Sequence, residues 1–569
     1  MLHLTRFRAL PLALALATSL SACQQDGRPT PAPLPQDPLI QVYTNHNPTS
    51  SYTEPYRQQT RSGDNLEQVI IDTIAQAQVS VDVAVQEFRL PRLAQALIER
   101  QQAGVRVRVI LENTYSRPFS SFTPAEVRAL ADRERSRYEE FRLLVDQNQD
   151  GQLSPPEIAQ ADALVLLDRA KIPRIDDTAD GSAGSNLMHN KFVIVDQRYV
   201  IVTSANFTTS DIHGDFATPN SRGNANNLVK LDSPPLAALF QREFSILWGD
   251  GAGGKPDSRF GVKKPFLPAQ QVMVGPTPVA VQFSPNGRKT PWEESSNGLI
   301  GRTLSRATRS LQMALFVFSD QQLVNAIGPL AQRGLEIQAL IEPGFAFRPY
   351  SEALDMLGIA LGDTCQAEAS NRPWQAPITT VGVPRLPPGD LLHHKFGIVD
   401  GETVITGSHN WTEAANRGND ETVLVIQGNV TVAAHFEQEF GRLYPTAILG
   451  IPPAIQKQAA AYAKRCPVPS ITTLPSQRQD FKPGLAAAGT PGRKNPRPPA
   501  VALPQARQRI NLNTATVTEL ETLPGVGPRL AQRIIAARQQ KPFTSLQDLD
   551  RVPGVGPKLL QRLKPQVGW

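Results

Sequence analysis

Cysteine is scarce in this sequence, with 3 residues in 569. Cys23, Cys365 and Cys466 are far apart, and no pair has the spacing of a zinc site, which excludes a cysteine-built zinc centre. The apolar run from Leu10 to Leu20 is too short to cross a bilayer as a mature helix. The formal net charge is only +6, but it is unevenly placed. Residues 457–569 carry 18 Lys and Arg against 5 Asp and Glu, whereas residues 1–456 carry 40 against 47. The basic excess therefore belongs to the tail, where it suggests a polyanionic partner.

Proline, by contrast, is plentiful at 50 residues and marks two segments. QQDGRPTPAPLPQDP, within residues 24–39, reads as a tether, and residues 447–507 read as a Pro/Arg-rich linker, least able to pack over 466–506. Between them, short β-branched runs (VSVDVAV, VRVRVILE, FVIVD) alternate with amphipathic stretches such as RLAQALIERQQAG, which predicts an α/β architecture. An internal repeat is visible there. Residues 79–112 and 311–342 both read strand, helix, glycine turn, strand.

The repeat carries chemistry. MHNKFVIVDQRYVIVTSANFT in the first half and LHHKFGIVDGETVITGSHNWT in the second are in register. His189, Lys191, Asp196, Ser204 and Asn206 each lie 204 residues before His393, Lys395, Asp400, Ser408 and Asn410. A neutral imidazole can attack phosphorus, a protonated one can give a proton to the leaving oxygen, and lysine and amide groups can hold the non-bridging oxygens.

On these residues the chain resembles the phospholipase D superfamily, whose signature is HxKxxxxDxxxxxxGSxN, over about residues 40–446. The resemblance implies two α-β-α sandwich halves related by a pseudo-two-fold, with both motifs facing one cleft and no metal needed for catalysis. It implies His189 as nucleophile and His393 as general acid and base, with Lys191, Lys395, Asn206 and Asn410 on the phosphate. Ser204 and Ser408 would add hydrogen bonds, and Asp196 and Asp400 would pin turns. His394 should point away from His393 across the strand. Two departures stand out. Thr203 replaces the glycine found at Gly407, and Asn226 stands where the second half has Glu421. The expectation from sequence is that Glu421 orients His393 and that His189 lacks a carboxylate.

DQNQDGQLSPPE, residues 146–157, places Asp146, Asn148, Asp150, Gln152, Ser154 and Glu157 at the ligand positions of an EF-hand-like calcium loop, with Gly151 at the turn. EEFRLLV and EIAQADALVLL fit its flanking helices. In the tail, LPGVGP and VPGVGP recur 29 residues apart. With INLNTATVTELETLPGVG they resemble tandem helix-hairpin-helix motifs of the competence DNA-receptor kind, an all-α domain. That resemblance implies DNA-backbone contacts by Gly525, Gly527, Arg529, Arg533, Gly554, Gly556, Lys558 and Arg562 without sequence readout.

At the other end, Arg6 and Arg8 precede the apolar run, and Leu20-Ser21-Ala22-Cys23 resembles the bacterial lipobox. This implies an exported envelope lipoprotein lipidated at Cys23. With Gln24 rather than aspartate following, it points to the outer membrane or cell surface. The expected order is then signal peptide (1–23), tether (24–39), first half (40–250), connector (251–266), second half (267–446), linker (447–507) and helix-hairpin-helix domain (508–569). The leading expectation is an anchored nuclease that holds DNA with its tail. The alternatives are a phospholipase D or phosphatidyl transferase acting on phospholipid, and a DNA-uptake receptor without catalysis. One chain supplies both motifs, so a monomer suffices.

Overall fold

The computed structural model describes residues 32–218, 220–287, 289–362 and 371–466. Of the C-terminal segment it describes 510–515, 520, 523, 528–552, 555, 560, 563–564 and 567–568. The chain divides into two units, residues 1–472 and 473–569.

The first unit holds two sheets of matching topology. The first runs, in hydrogen-bonded order, Ile40–Thr44, Asn227–Asp232, Tyr199–Thr203, Lys191–Val195, Ser80–Val85, Arg106–Leu111 and Arg174–Asp176. The second repeats this strand for strand as Thr277–Ser284, Asn419–Ile426, Thr403–Gly407, Lys395–Val399, Ser310–Leu315, Glu336–Ile341 and Val381–Val383. Gln270–Val274 and Ile448–Leu449 extend its two edges. In both sheets the last three of the seven matching strands are parallel and the rest are antiparallel.

The local repeat follows from punctuation. Pro91 starts the helix Pro91–Gln102, and Asp320 caps Gln321–Gln332 through the backbone of Gln322 and Leu323. Each helix ends just before a left-handed glycine, Gly104 (φ 87°) or Gly334 (φ 80°), which turns the chain into the next strand. One apolar cluster draws on both halves, with Phe192, Phe240 and Phe283 packed edge to face beside Phe396, Phe436 and Phe440. Each half has a further cluster under its own helices.

Two segments differ from expectation. Residues 35–39, assigned to a free tether, are tied down. Gln36 brackets Val42 through both amide atoms, Asn429 donates to Asp37 (2.9 Å), and His435 meets the Pro35 carbonyl (3.1 Å). Within the expected linker, Pro453–Arg465 is helical with no buried residue, because a run rich in Ala, Gln and Lys propagates a helix once Pro452 and Pro453 start it. Cys466, which ends that helix, is disulfide-bonded. Cys23 and Cys365 lie outside the described residues.

The second unit centres on the helix Pro528–Gln540, with Leu512, Leu523, Ile534, Phe543, Leu549 and Leu563 in one apolar cluster. It is not wholly helical, since Ile510–Asn511 pairs in parallel with Val567–Gly568 and joins its ends. Gly525, Gly527, Gly554, Gly556, Lys558 and Arg562 lie outside the described residues. Arg529 and Arg533 are on the described helix.

Among the described residues no helix is long and apolar enough to cross a membrane.

Candidate active site

The halves meet by exchanging strand edges. Leu187–Met188 pairs in parallel with Asn419 and Asp420 of the opposite half, and the His189 amide donates to the Asp420 carbonyl (2.9 Å). Reciprocally, Leu392 bridges to Ala225, and the His393 amide donates to the Ala225 carbonyl (3.1 Å). Each motif histidine therefore enters the cleft beside the strand that carries the other half's orienting residue.

The pairing expected from sequence is thereby corrected. Glu421 orients His189, not His393, with Nδ1 of His189 2.6 Å from Glu421 Oε2. His393 Nδ1 lies 2.9 Å from Asn226 Oδ1. The physical reason is the strand exchange, which carries position 421 across the pseudo-two-fold.

The hydrogen bonds fix the tautomers. Asn226 donates its amide to the carbonyls of Asp211 and Asn224 (3.0 Å each), and its Oδ1 accepts from Ser204 Oγ (2.7 Å). Its oxygen therefore faces His393, whose Nδ1 must carry the proton. A carboxylate does the same for His189, held by Ser408 Oγ (2.8 Å) and the Asn419 amide (3.2 Å). Both Nε2 atoms are left to do chemistry. Ser204 and Ser408 thus hold the orienting residues.

Lys191 and Lys395 are each 1 % exposed. Lys191 Nζ donates to the His189 carbonyl (3.0 Å) and to Gln86 (3.2 Å). Lys395 Nζ donates to the His393 carbonyl (2.6 Å) and sits 4.9 Å above the Phe316 ring. Among the described residues neither forms an ion pair with a carboxylate. Burial lowers both ammonium pKa values, that of Lys191 to about 8. Burial and the two lysines hold both imidazoles well below their ordinary value, so the resting histidines are neutral. Burial raises the Glu421 carboxyl to about 7, against the pull of His409 and Lys191. Two buried lysines without a direct ion pair, beside two neutral imidazoles, offer donors for a phosphate monoanion.

Asn206 donates its backbone N–H (2.7 Å) and side-chain amide (2.9 Å) to Asp211 Oδ2, Asn410 lies at the matching place, and the Oδ1 atoms of both are buried and unpartnered. Asp196 and Asp400 sit outside the cleft. Asp196 accepts from the N–H groups of Gln78, Val79 and Ser80, and Asp400 from those of Thr308, Arg309 and Ser310. His394 turns away, between Glu439 (2.9 Å) and Asn227 (3.1 Å). The Thr203 departure is local. Gly407 has φ 135°, and a Cβ there would meet the Thr422 carbonyl at 2.2 Å. Thr203 has no such φ, and its hydroxyl instead donates to Asn227 O (2.7 Å) and accepts from Ala205 N–H (3.0 Å).

Sequence reasoning missed three features. The first is Asp211. The second is Phe316, whose ring lies 4.8 Å from that of His393. The third is the placement of the helix Asp132–Val145, expected beside the 146–157 loop but not at the site; it has a small core of its own around Phe119, Phe141 and Val145. One face of this helix, from Arg133 through Arg137 and Glu140 to Leu144, lines a cavity of about 140 Å³ shared with Asn206, Asp211 and His393. The stripe shows in the sequence as a helical period, but nothing there says what it faces.

The loop at 146–157 joins that helix to Pro155–Ala161. Asp146 accepts from the N–H groups of Asp150 and Gly151. Glu157 accepts from those of Gln147, Asn148 and Ser154 and from Ser154 Oγ. Asn148 and Asp150 bond each other, and Gln152 N–H meets Asp150. Among the described residues no three His, Cys, Asp or Glu side chains gather as a metal-binding set. Asp146 and Glu157 thus tie the loop's backbone together.

Residues 70–248 and 300–444 match the family described as "Cardiolipin synthase, PLD-like domain", more than half of the 569 residues. Residues 505–568 match "Helix-hairpin-helix motif". The chain is similar to mitochondrial cardiolipin hydrolase of Xenopus tropicalis, 29% identical over 32% of this chain and 74% of that protein. It is 32% identical to the Mus musculus protein of that name over 27% of this chain and 60% of that one. Among solved structures, Nuc of Salmonella typhimurium, a phospholipase D family member, is 24% identical over 30% of this chain and 96% of that one, with a TM-score of 0.23. With both motifs facing one cleft and the family match spanning both halves, the chain belongs to the phospholipase D superfamily of phosphodiesterases.

Proposed function

We propose that the chain is a metal-independent nuclease working through a covalent phosphohistidine. The observation that carries the choice of nucleic acid is the helix-hairpin-helix match at residues 505–568, on a tail with 18 basic against 5 acidic residues. Such a domain grips the backbone without reading bases and would hold a strand for the cleft. With the phosphodiester bound, His393 takes up a proton at Nε2, and His189 Nε2 then attacks phosphorus while that proton passes to the departing oxygen. His393 then takes a proton from water, which displaces His189 from phosphorus. Nε2-phosphorylation leaves the His189 ring positive, and Glu421 at Nδ1 stabilises that charge. Lys191 and Lys395 hold the non-bridging oxygens.

A second reading, hydrolysis of a phospholipid, is favoured by the similarity to cardiolipin hydrolases. Cleavage of an oligonucleotide in EDTA, compared with cardiolipin vesicles, separates the two. The nuclease reading expects cleavage of the first, abolished in His189→Ala, and fails if only the lipid turns over. We also propose lipidation of Cys23, checked by fatty-acid labelling that disappears in Cys23→Ala.

A further inference from the structure

The two catalytic histidines are served unequally. His189 has a carboxylate hydrogen-bonded to Nδ1, whereas the matching partner of His393 is the neutral amide of Asn226. A general acid oriented only by an amide lacks a counter-charge for the imidazolium it must become. The structure places a carboxylate there by another route. Asp211 Oδ1 lies 3.9 Å from His393 Nδ1, on the same ring nitrogen that faces Asn226. Asp211 is 4 % exposed and lies in the short helix Thr209–Ile212. The residue 204 positions later is Ala415, so the second half has nothing equivalent.

We propose that Asp211 replaces the carboxylate lost at position 226 and is the positioning residue that makes His393 a general acid. Its other bonds hold it in place. Asn206 donates twice to Oδ2, and Asn224 donates to Oδ1 (2.6 Å). The Asp211 backbone carbonyl accepts from the Asn226 amide (3.0 Å), so one residue aims the neutral acceptor and supplies the charge beside it. The same negative charge favours the protonated forms of Lys191 and Lys395. The catalytic charge of the first half has moved from the strand end to the helix after Asn206, and the histidine it serves belongs to the second half.

This inference rests on His393 being the general acid, and the test keeps the two apart. Rates are measured on thymidine 5′-(aryl phosphates) whose phenols span pKa values of about 7 to 10. A working general acid makes the rate depend weakly on the leaving group, and its loss makes the dependence steep. His393→Ala should steepen the slope. If it lowers all rates alike, the assignment of His393 fails, and this inference with it. Given a steep His393→Ala slope, Asp211→Asn should also steepen it, losing at least about 10-fold more on the poorest leaving group than on the best. Glu421→Gln should lower every rate with an unchanged slope, because it acts on the nucleophile. A uniform loss in Asp211→Asn would overturn the inference and leave Asp211 a structural hydrogen-bond acceptor. Should that variant not fold, Asp211→Glu carries the test. A near wild-type slope supports a role for the charge, and a slope as steep as that of His393→Ala overturns it.

Discussion

Lys191 and Lys395 set what the cleft can hold. Each is buried against its own histidine's carbonyl rather than a carboxylate, so the pair is completed by an anion. Tungstate, a dianion that does not itself titrate near neutrality, is a suitable probe. Burial has lowered the Lys191 pKa to about 8, so the group is charged below that pH and neutral above it. Tungstate affinity should therefore fall as pH rises through about 8, by roughly tenfold per 1.4 kcal/mol of lost attraction. Calorimetry at pH 6.5 and 9 checks this, and a flat profile would remove Lys191 from the anion site. The identity of these residues was legible in the sequence, because a motif duplicated in register with one spacing rarely arises by chance. Their partners were not. Aligning Asn226 with Glu421 gives the register within a half but not the half that each side chain faces, and the exchange of Leu187–Met188 and Leu392 decides that. Asp211 was invisible for a related reason, since it stands where the second copy has alanine and belongs to no repeat.

At the scale of the element, the two motif loops reach one geometry by different means. Gly407 is needed where the strand Thr403–Gly407 passes the Thr422 carbonyl, while Thr203 closes the matching turn with its hydroxyl. Gly407→Ala should thus cost about 3 kcal/mol and displace Ser408 and Asn410, lowering kcat as well as Tm. Thr203→Gly should cost only about 1 kcal/mol for its hydroxyl bonds. Thermal melts alongside kcat for the two variants test the contrast, and equal losses would count against it. The flanking helices of the 146–157 loop were legible in EEFRLLV and EIAQADALVLL, with Pro155 and Pro156 placed where a first turn tolerates proline. That Asp132–Val145 would wall one side of the cleft was not, because a helical stripe looks alike whether it covers a core or a cavity.

For the whole molecule, the proposed nuclease would carry catalysis in the first unit and strand capture in the second. Deleting residues 505–569 should raise KM for a long oligonucleotide and flatten its salt dependence by roughly 0.7 for each phosphate of a single strand that the tail no longer neutralises. Turnover of a small thymidine aryl phosphate should be spared. An unchanged salt slope would show that the tail does not hold the substrate.

The reciprocal strand exchange also bears on how the halves are inherited. Because His189 borrows Glu421 and His393 borrows Asn226, neither half is a catalyst with a spare copy attached. A chain cut between them would yield two inert fragments whose activity returns only on reassembly. A lesion at Glu421 or Asn226 is therefore expressed at the other half's histidine.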